Sequence, residues 1–253
     1  MFGYTAFKRI AITLVVLCGH IHASPTPDIR EDLSIAVAPV ADPVVVDIGG
    51  VYMRTTTLSD GSIFGAYAAG DGPNRIIRTT RSPDGGATWQ PLGVVAGSPA
   101  DTTDLDNPYP LQLPNGDILV AFRNHDRTGS GYSHYRITVC ASTDGGVTWG
   151  FRSQVYERGA SGVNGLWEPF LRIAGDGTVQ AYYSSEVAAG DQDNLMRWSA
   201  DGGVTWSADA IIVSGGGVLA RDGMIGIAPL GAGNLMQVIW KSSDYSSVEQ
   251  KAD

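Results

Sequence analysis

The chain has 253 residues, 43% of them hydrophobic and 17% charged, with a formal net charge of −9. That is enough apolar material for a globular core and too little charge for a disordered chain. An acidic balance without a basic stripe excludes nucleic acid and anionic membranes as partners and leaves a neutral polysaccharide or oligosaccharide compatible.

In chain order, residues 1–23 read as a secretory signal peptide. Lys8 and Arg9 precede an apolar run from Ile10 to Cys18, and a small residue, Ala23, ends the segment. The run is too short to span a membrane, so no membrane partner is expected after cleavage, and the mature protein is expected outside the cell. Cleavage removes two positive charges and takes the net charge to about −11. It also removes Cys18 and leaves Cys140 as the last cysteine, which excludes an intrachain disulfide. Cys140 sits in Ile137-Thr-Val-Cys-Ala, where it reads as a small buried hydrophobe. Residues 24–43, rich in Pro, Ala and Asp, read as a flexible lead-in, and residues 44–253 as the folded domain.

Within that domain an eight-residue motif occurs three times: S-P-D-G-G-A-T-W at 82–89, S-T-D-G-G-V-T-W at 142–149 and S-A-D-G-G-V-T-W at 199–206. Its aspartates, Asp84, Asp144 and Asp201, stand 60 and 57 residues apart, which is the spacing of a repeat architecture. Asp-Gly-Gly is turn chemistry, because the carboxylate bonds nearby amides and Gly takes positive φ freely. Each copy predicts a hairpin with its Trp (Trp89, Trp149 or Trp206) packed at the base. A second repeat runs out of phase, with turns at Gly61, Gly116, Gly177 and Gly233 each leading into a short apolar strand. No segment keeps a helical period, so the chain is expected to be all-β.

The eight-residue motif resembles the Asp-box, or bacterial neuraminidase repeat, of the sialidase-like β-propellers. The resemblance implies a six-bladed propeller with the boxes on its rim and a structural role for these Asp and Trp residues. Six blades of roughly 57 residues need about 340 residues, so this chain is expected to be an incomplete propeller of about four blades. A propeller that does not close leaves a raw sheet edge.

Segments that the repeats do not explain are candidates for chemistry. They are Phe122-Arg-Asn-His-Asp126, Gly165-Leu-Trp-Glu-Pro-Phe170, Tyr182-Tyr-Ser-Ser-Glu186 and Ala220-Arg-Asp-Gly-Met224. With Tyr52 and Arg54 in G-V-Y-M-R and the run His134 to Cys140, they resemble the exo-α-1,5-arabinanases of glycoside hydrolase family 93. That resemblance spans residues 45–240. It implies release of arabinobiose from the non-reducing end of linear α-1,5-arabinan with retention, and no cofactor or metal.

Retention needs two carboxyl groups, a proton donor and a nucleophile. Glu168 matches the family's acid/base. Trp167 and Phe170 could wall it in apolar surface and keep it protonated, and Pro169 is expected to hold it extended. The bland alternative is a rim glutamate paired with an arginine. The resemblance places the nucleophile about seventy residues later, where Lys241 stands; Asp244 and Glu249 are the next carboxylates. Arg54, Arg123, Asn124, His125, Trp167, Glu186, Arg221 and Asp222 are candidate substrate-binding residues, each with a structural alternative in ion pairing, loop hydrogen bonding or core filling. Two rival readings stay open: an exo-sialidase, and a non-catalytic carbohydrate-binding propeller module.

Overall fold

A computed structural model of the chain describes residues 42–129, 131–231 and 234–242. The expected signal peptide, the lead-in as far as residue 41 and the carboxylates Asp244 and Glu249 lie outside the described residues. Fourteen β-strands run through the described part, all within the unit Val44–Asp253.

Strands β1 (Val51–Thr57), β2 (Ile63–Asp71), β3 (Asn74–Ser82) and β4 (Gln90–Pro99) pair in sequence order as an antiparallel sheet. Strands β5 (Thr103–Gln112), β6 (Ile118–Thr128), β7 (Gly131–Ser142) and β8 (Gly150–Gly159) repeat the pattern. So do β9 (Leu166–Ile173), β10 (Val179–Ala188), β11 (Asp191–Ser199) and the short β12 (Ile211–Ser214). These are three four-stranded blades. A fourth begins with β13 (Arg221–Gly231) and β14 (Asn234–Ser242), which reach the third sheet through one parallel pairing, Gln192 with Arg221.

The blades stack face to face, and strand alternation sends each inner strand's residues into two cores. On β6, Ile118, Val120 and Phe122 join Phe64, Ala66, Ala68 and Ile77 of the first blade. Its other face, Leu119 and Ala121, joins Leu166, Leu171, Ala181 and Tyr183 of the third. Burial on both faces explains the unbroken apolar run of this strand. Each fully buried Ile, Leu or Phe there contributes roughly 1.5–3 kcal/mol. Cys140 lies in the first of these cores, and burial pushes its thiol up to about 11.

The three Asp-boxes connect the third and fourth strands of their blades. In the second, Asp144 accepts from Ser142 Oγ at 2.8 Å, from the Thr148 amide at 2.9 Å and from Thr148 Oγ1 at 2.6 Å. The same bonds recur at Asp84 and Asp201. They hold Asp84 and Asp144 down at about 2, and Asp201 below its ordinary value too. Trp89 and Trp149 donate their indole N–H to the second Gly of their own box, each at 3.0 Å. Trp206 instead donates to Ser153 Oγ of the preceding blade at 2.9 Å. The second and third boxes also bond that preceding blade by backbone, since Thr79 Oγ1 donates to Gly146 O and Ser153 Oγ to Gly203 O. These boxes are clasps between blades.

Candidate active site

The innermost strand of every blade breaks register at the same place. Two residues there face a single residue of the neighbouring strand, which is a β-bulge. Tyr52 and Met53 face Tyr67, and Asn107 and Pro108 face Phe122. Glu168 and Pro169 face Tyr183, and Met224 and Ile225 face Ile239. The first residue of each bulge is left-handed, with φ of 54° at Tyr52, 49° at Asn107, 52° at Glu168 and 49° at Met224. These are the non-glycine residues of positive φ among the described residues. The expectation that Pro169 holds Glu168 extended is therefore wrong. The bulge dictates the backbone here, opposite the buried Tyr183 of β10.

The bulges of β5, β9 and β13 together line a cavity of about 210 Å³. Its walls are Asn107 to Tyr109, Glu168 to Phe170 and Met224 to Gly226, with Arg54 completing the ring. Tyr109 and Phe170 pack ring against ring at 4.5 Å. Glu168 is half-buried, and its Oε2 accepts the Met224 amide at 2.8 Å. Burial raises its carboxyl above the ordinary range and outweighs the Met224 bond and the positive charges of Arg123, Arg54 and Arg221. Gly223 is needed beside it, since a Cβ there would lie 3.1 Å from Glu168 Oε2 and 2.9 Å from Gln192 Nε2.

Of the other candidates, Arg54 reaches the cavity and makes no ion pair among the described residues. Arg123 is committed beneath it. Arg123 bridges to Asp104 at 3.1 Å and Asp106 at 3.6 Å, and stacks over the Trp167 ring at 5.1 Å. Asn124 donates to Thr138 Oγ1 at 3.2 Å.

His125 is fully buried. Its Nδ1 accepts the Arg136 amide at 3.2 Å, so Nε2 carries the proton and donates to Leu166 O at 2.8 Å. Burial, helped by Arg123, lowers it to about 4. Its ring meets Tyr132, Tyr135 and Trp167 edge-on. His125 thus anchors β9 two residues before Glu168 and lies outside the cavity.

Glu186 and Arg221 pair with each other at 2.7 Å, and Arg221 also donates to Gln192 Oε1 and Ala189 O. Asp222 is fully buried, opposite Lys241 in the β13–β14 register. Asn107 and Tyr109, which no candidate segment of the sequence contains, line the cavity, as does Met224 at the end of the segment 220–224. Among the described residues no group of three or more His, Cys, Asp or Glu side chains could hold a metal ion.

Antiparallel four-stranded blades stacked around an axial cavity, clasped by Asp-boxes, define the sialidase-like β-propeller class. The chain belongs to the BNR repeat-like domain family, whose model matches residues 64–220. Among solved structures it resembles the GH93 α-L-arabinofuranosidase of Fusarium graminearum in complex with arabinobiose. The identity is 24% and the TM-score 0.59, over 78% of this chain and 63% of that one. The α-L-arabinanase of Penicillium chrysogenum, also complexed with arabinobiose, matches at 22% identity and a TM-score of 0.59, over 79% and 64%. A Hadza microbial sialidase matches at 17% and 0.56, over 79% and 45%. At these identities the likeness is one of fold, and the chain spans less than two thirds of each of these relatives. No curated protein matches it.

Proposed function

We propose that the axial cavity takes the non-reducing end of linear α-1,5-arabinan and that Glu168 protonates the leaving glycosidic oxygen while a second carboxylate, from outside the residues that line the cavity here, attacks the anomeric carbon; water then hydrolyses that glycosyl ester and releases arabinobiose with retention. The observation that carries this reading is a carboxyl kept above its ordinary pKa by burial, held at a strained backbone position on the cavity wall. An acid in that state keeps its proton to higher pH than an ordinary carboxyl does. Arg54 and the Asn107 amide offer hydrogen bonds to sugar hydroxyls from the facing blades.

A sialoside is the weaker substrate. Its carboxylate calls for a clamp of arginines, and here Arg123 and Arg221 are engaged with Asp104, Asp106 and Glu186. A second reading, a binding module without turnover, is favoured by one observation. Among the described residues Glu168 is the one carboxyl that lines the cavity, and the position expected of the nucleophile holds Lys241. A lysine cannot form the glycosyl ester that retention requires.

The test is incubation of the purified chain with linear arabinan, with Glu168→Gln alongside. Arabinobiose from the native chain alone supports the hydrolase. Binding of arabinobiose without release supports the module, and neither binding nor release overturns the carbohydrate reading. Secretion is part of the same proposal, and N-terminal sequencing of the exported protein checks it against a start at Ser24.

A further inference from the structure

The four left-handed residues are chemically unlike, yet they occupy one position of one repeated bulge. A bulge of this kind needs only a backbone that tolerates positive φ, and glycine serves that need without strain. The neighbouring turns use it, as at Gly61, Gly116 and Gly177. Asn107 can ease its own left-handed backbone with its short polar side chain. Tyr52 and Met224 have no such means, and both are 46% exposed, so burial does not offset their strain either. A strained, exposed apolar side chain that packing does not explain points to what it contacts from outside.

We propose that the left-handed residue of each innermost strand is a ligand-contact position, one per blade. On this assignment Tyr52 and Met224 are specificity-determining residues that flank Asn107 and Glu168 in blade order. The inference rests on the reading of the cavity as a sugar site. A furanose presents C–H faces as well as hydroxyls. A phenol ring and a thioether are suited to pack against those faces while Asn107, Arg54 and Glu168 meet the oxygens. Met224 lines the cavity directly, and its amide bond to Glu168 fixes the direction of its bulge. Tyr52 stands two residues before Arg54, the first blade's contribution to the cavity wall.

The experiment measures two quantities on the full chain: arabinobiose affinity by calorimetry and the thermal unfolding midpoint. The variants are Tyr52→Gly and Met224→Gly, with Phe151→Gly as an exposed apolar control of ordinary backbone. For the first two, affinity should fall about tenfold, while the midpoint stays level or rises by up to about 4 °C as strain is released. The control should lose stability and keep its affinity. Affinity within about twofold of the native chain in both glycine variants overturns the inference and leaves the sugar-site reading standing. A clear drop in their midpoints overturns it too, because the side chains would then be structural. A native chain that binds no arabinobiose overturns both readings.

Discussion

The Met224 amide on β13 donates to Glu168 Oε2 on β9 at 2.8 Å, so one blade's bulge orients the carboxyl carried by the bulge of the blade before it. Oε1 takes no hydrogen bond among the described residues, so on the proposed reading it is the oxygen that carries the transferable proton. The arrangement depends on Gly223, where a Cβ would enter the gap beside Glu168 Oε2 and Gln192 Nε2.

Gly223→Ala should therefore separate chemistry from stability. The φ of Gly223 is not in the left-handed region, so alanine is tolerated by the backbone. Its Cβ must push Glu168 Oε2 and Gln192 Nε2 aside. Stability should fall by about 1–2 kcal/mol, as for modest overpacking. Arabinobiose release should fall about a hundredfold, since small misplacements of a catalytic group are costly. Steady-state kinetics on linear arabinan beside a thermal melt reads both.

Glu168→Gln tests the carboxyl's electrostatics without requiring turnover. A carboxyl whose folded pKa is raised binds more protons folded than unfolded. Its effect on stability is then most adverse at high pH and is relieved as pH falls through the raised pKa. Glutamine carries no charge to desolvate and can still accept the Met224 amide. At pH 7 the variant should melt above the native chain, and the gap should close as pH is lowered into the ordinary carboxyl range. Equal melting curves at pH 7 would show that Glu168 is not electrostatically disfavoured there.

The steps of the repeat already contained the site. The turn glycines stand 55, 61 and 56 residues apart, and so do Tyr52, Asn107, Glu168 and Met224, each nine residues ahead of its glycine. Carrying the nine-residue offset between Glu168 and Gly177 to the other glycines leads to Tyr52, Asn107 and Met224 as the equivalent positions. What hid them is that a bulge has no residue signature of its own, and Glu-Pro and Asn-Pro read locally as extended backbone. The fold was legible because turn chemistry and two-residue alternation are local signals. The burial of His125 and the pairing of Glu186 with Arg221 are not. Both depend on contacts across strands and blades, which residue type alone leaves open.

The role of the Asp-boxes as clasps can be isolated by making one substitution in two copies. Gly86 and Gly146 hold the same place in the first and second boxes, with φ of 99° and 96°. A Cβ on Gly146 would lie 2.4 Å from Phe64 Cε2, in the core between the first two blades, whereas on Gly86 it meets only Trp89 Cζ2 at 4.0 Å. Both alanine variants bear the backbone strain, about 1–2 kcal/mol. Gly146→Ala should cost a further ~1–3 kcal/mol from overpacking. Denaturant titration of the two variants gives the difference, and equal losses would mean that the box does not press on the preceding blade.

His125 offers the clearest pH signature. Its folded pKa, about 4, lies below the ordinary value of 6.5 because the ring is buried beside Arg123. Between those values the unfolded chain binds the proton that the folded chain refuses, so stability rises with pH through the window and is fully present above it. Acidification from pH 6.5 to pH 4 should remove on the order of 3 kcal/mol through this group alone. The box aspartates Asp84 and Asp144, held at about 2, act only below that window, as pH falls from 3.8 toward 2. His125→Gln keeps a donor within reach of Leu166 O and cannot titrate. Its unfolding free energy should be lower than native at pH 7, by about 2–4 kcal/mol for the lost ring contacts, and the native chain's slope between pH 4 and 6.5 should be flattened. A variant that keeps the native slope would place the titration elsewhere and remove His125 as the neutral tether behind Glu168.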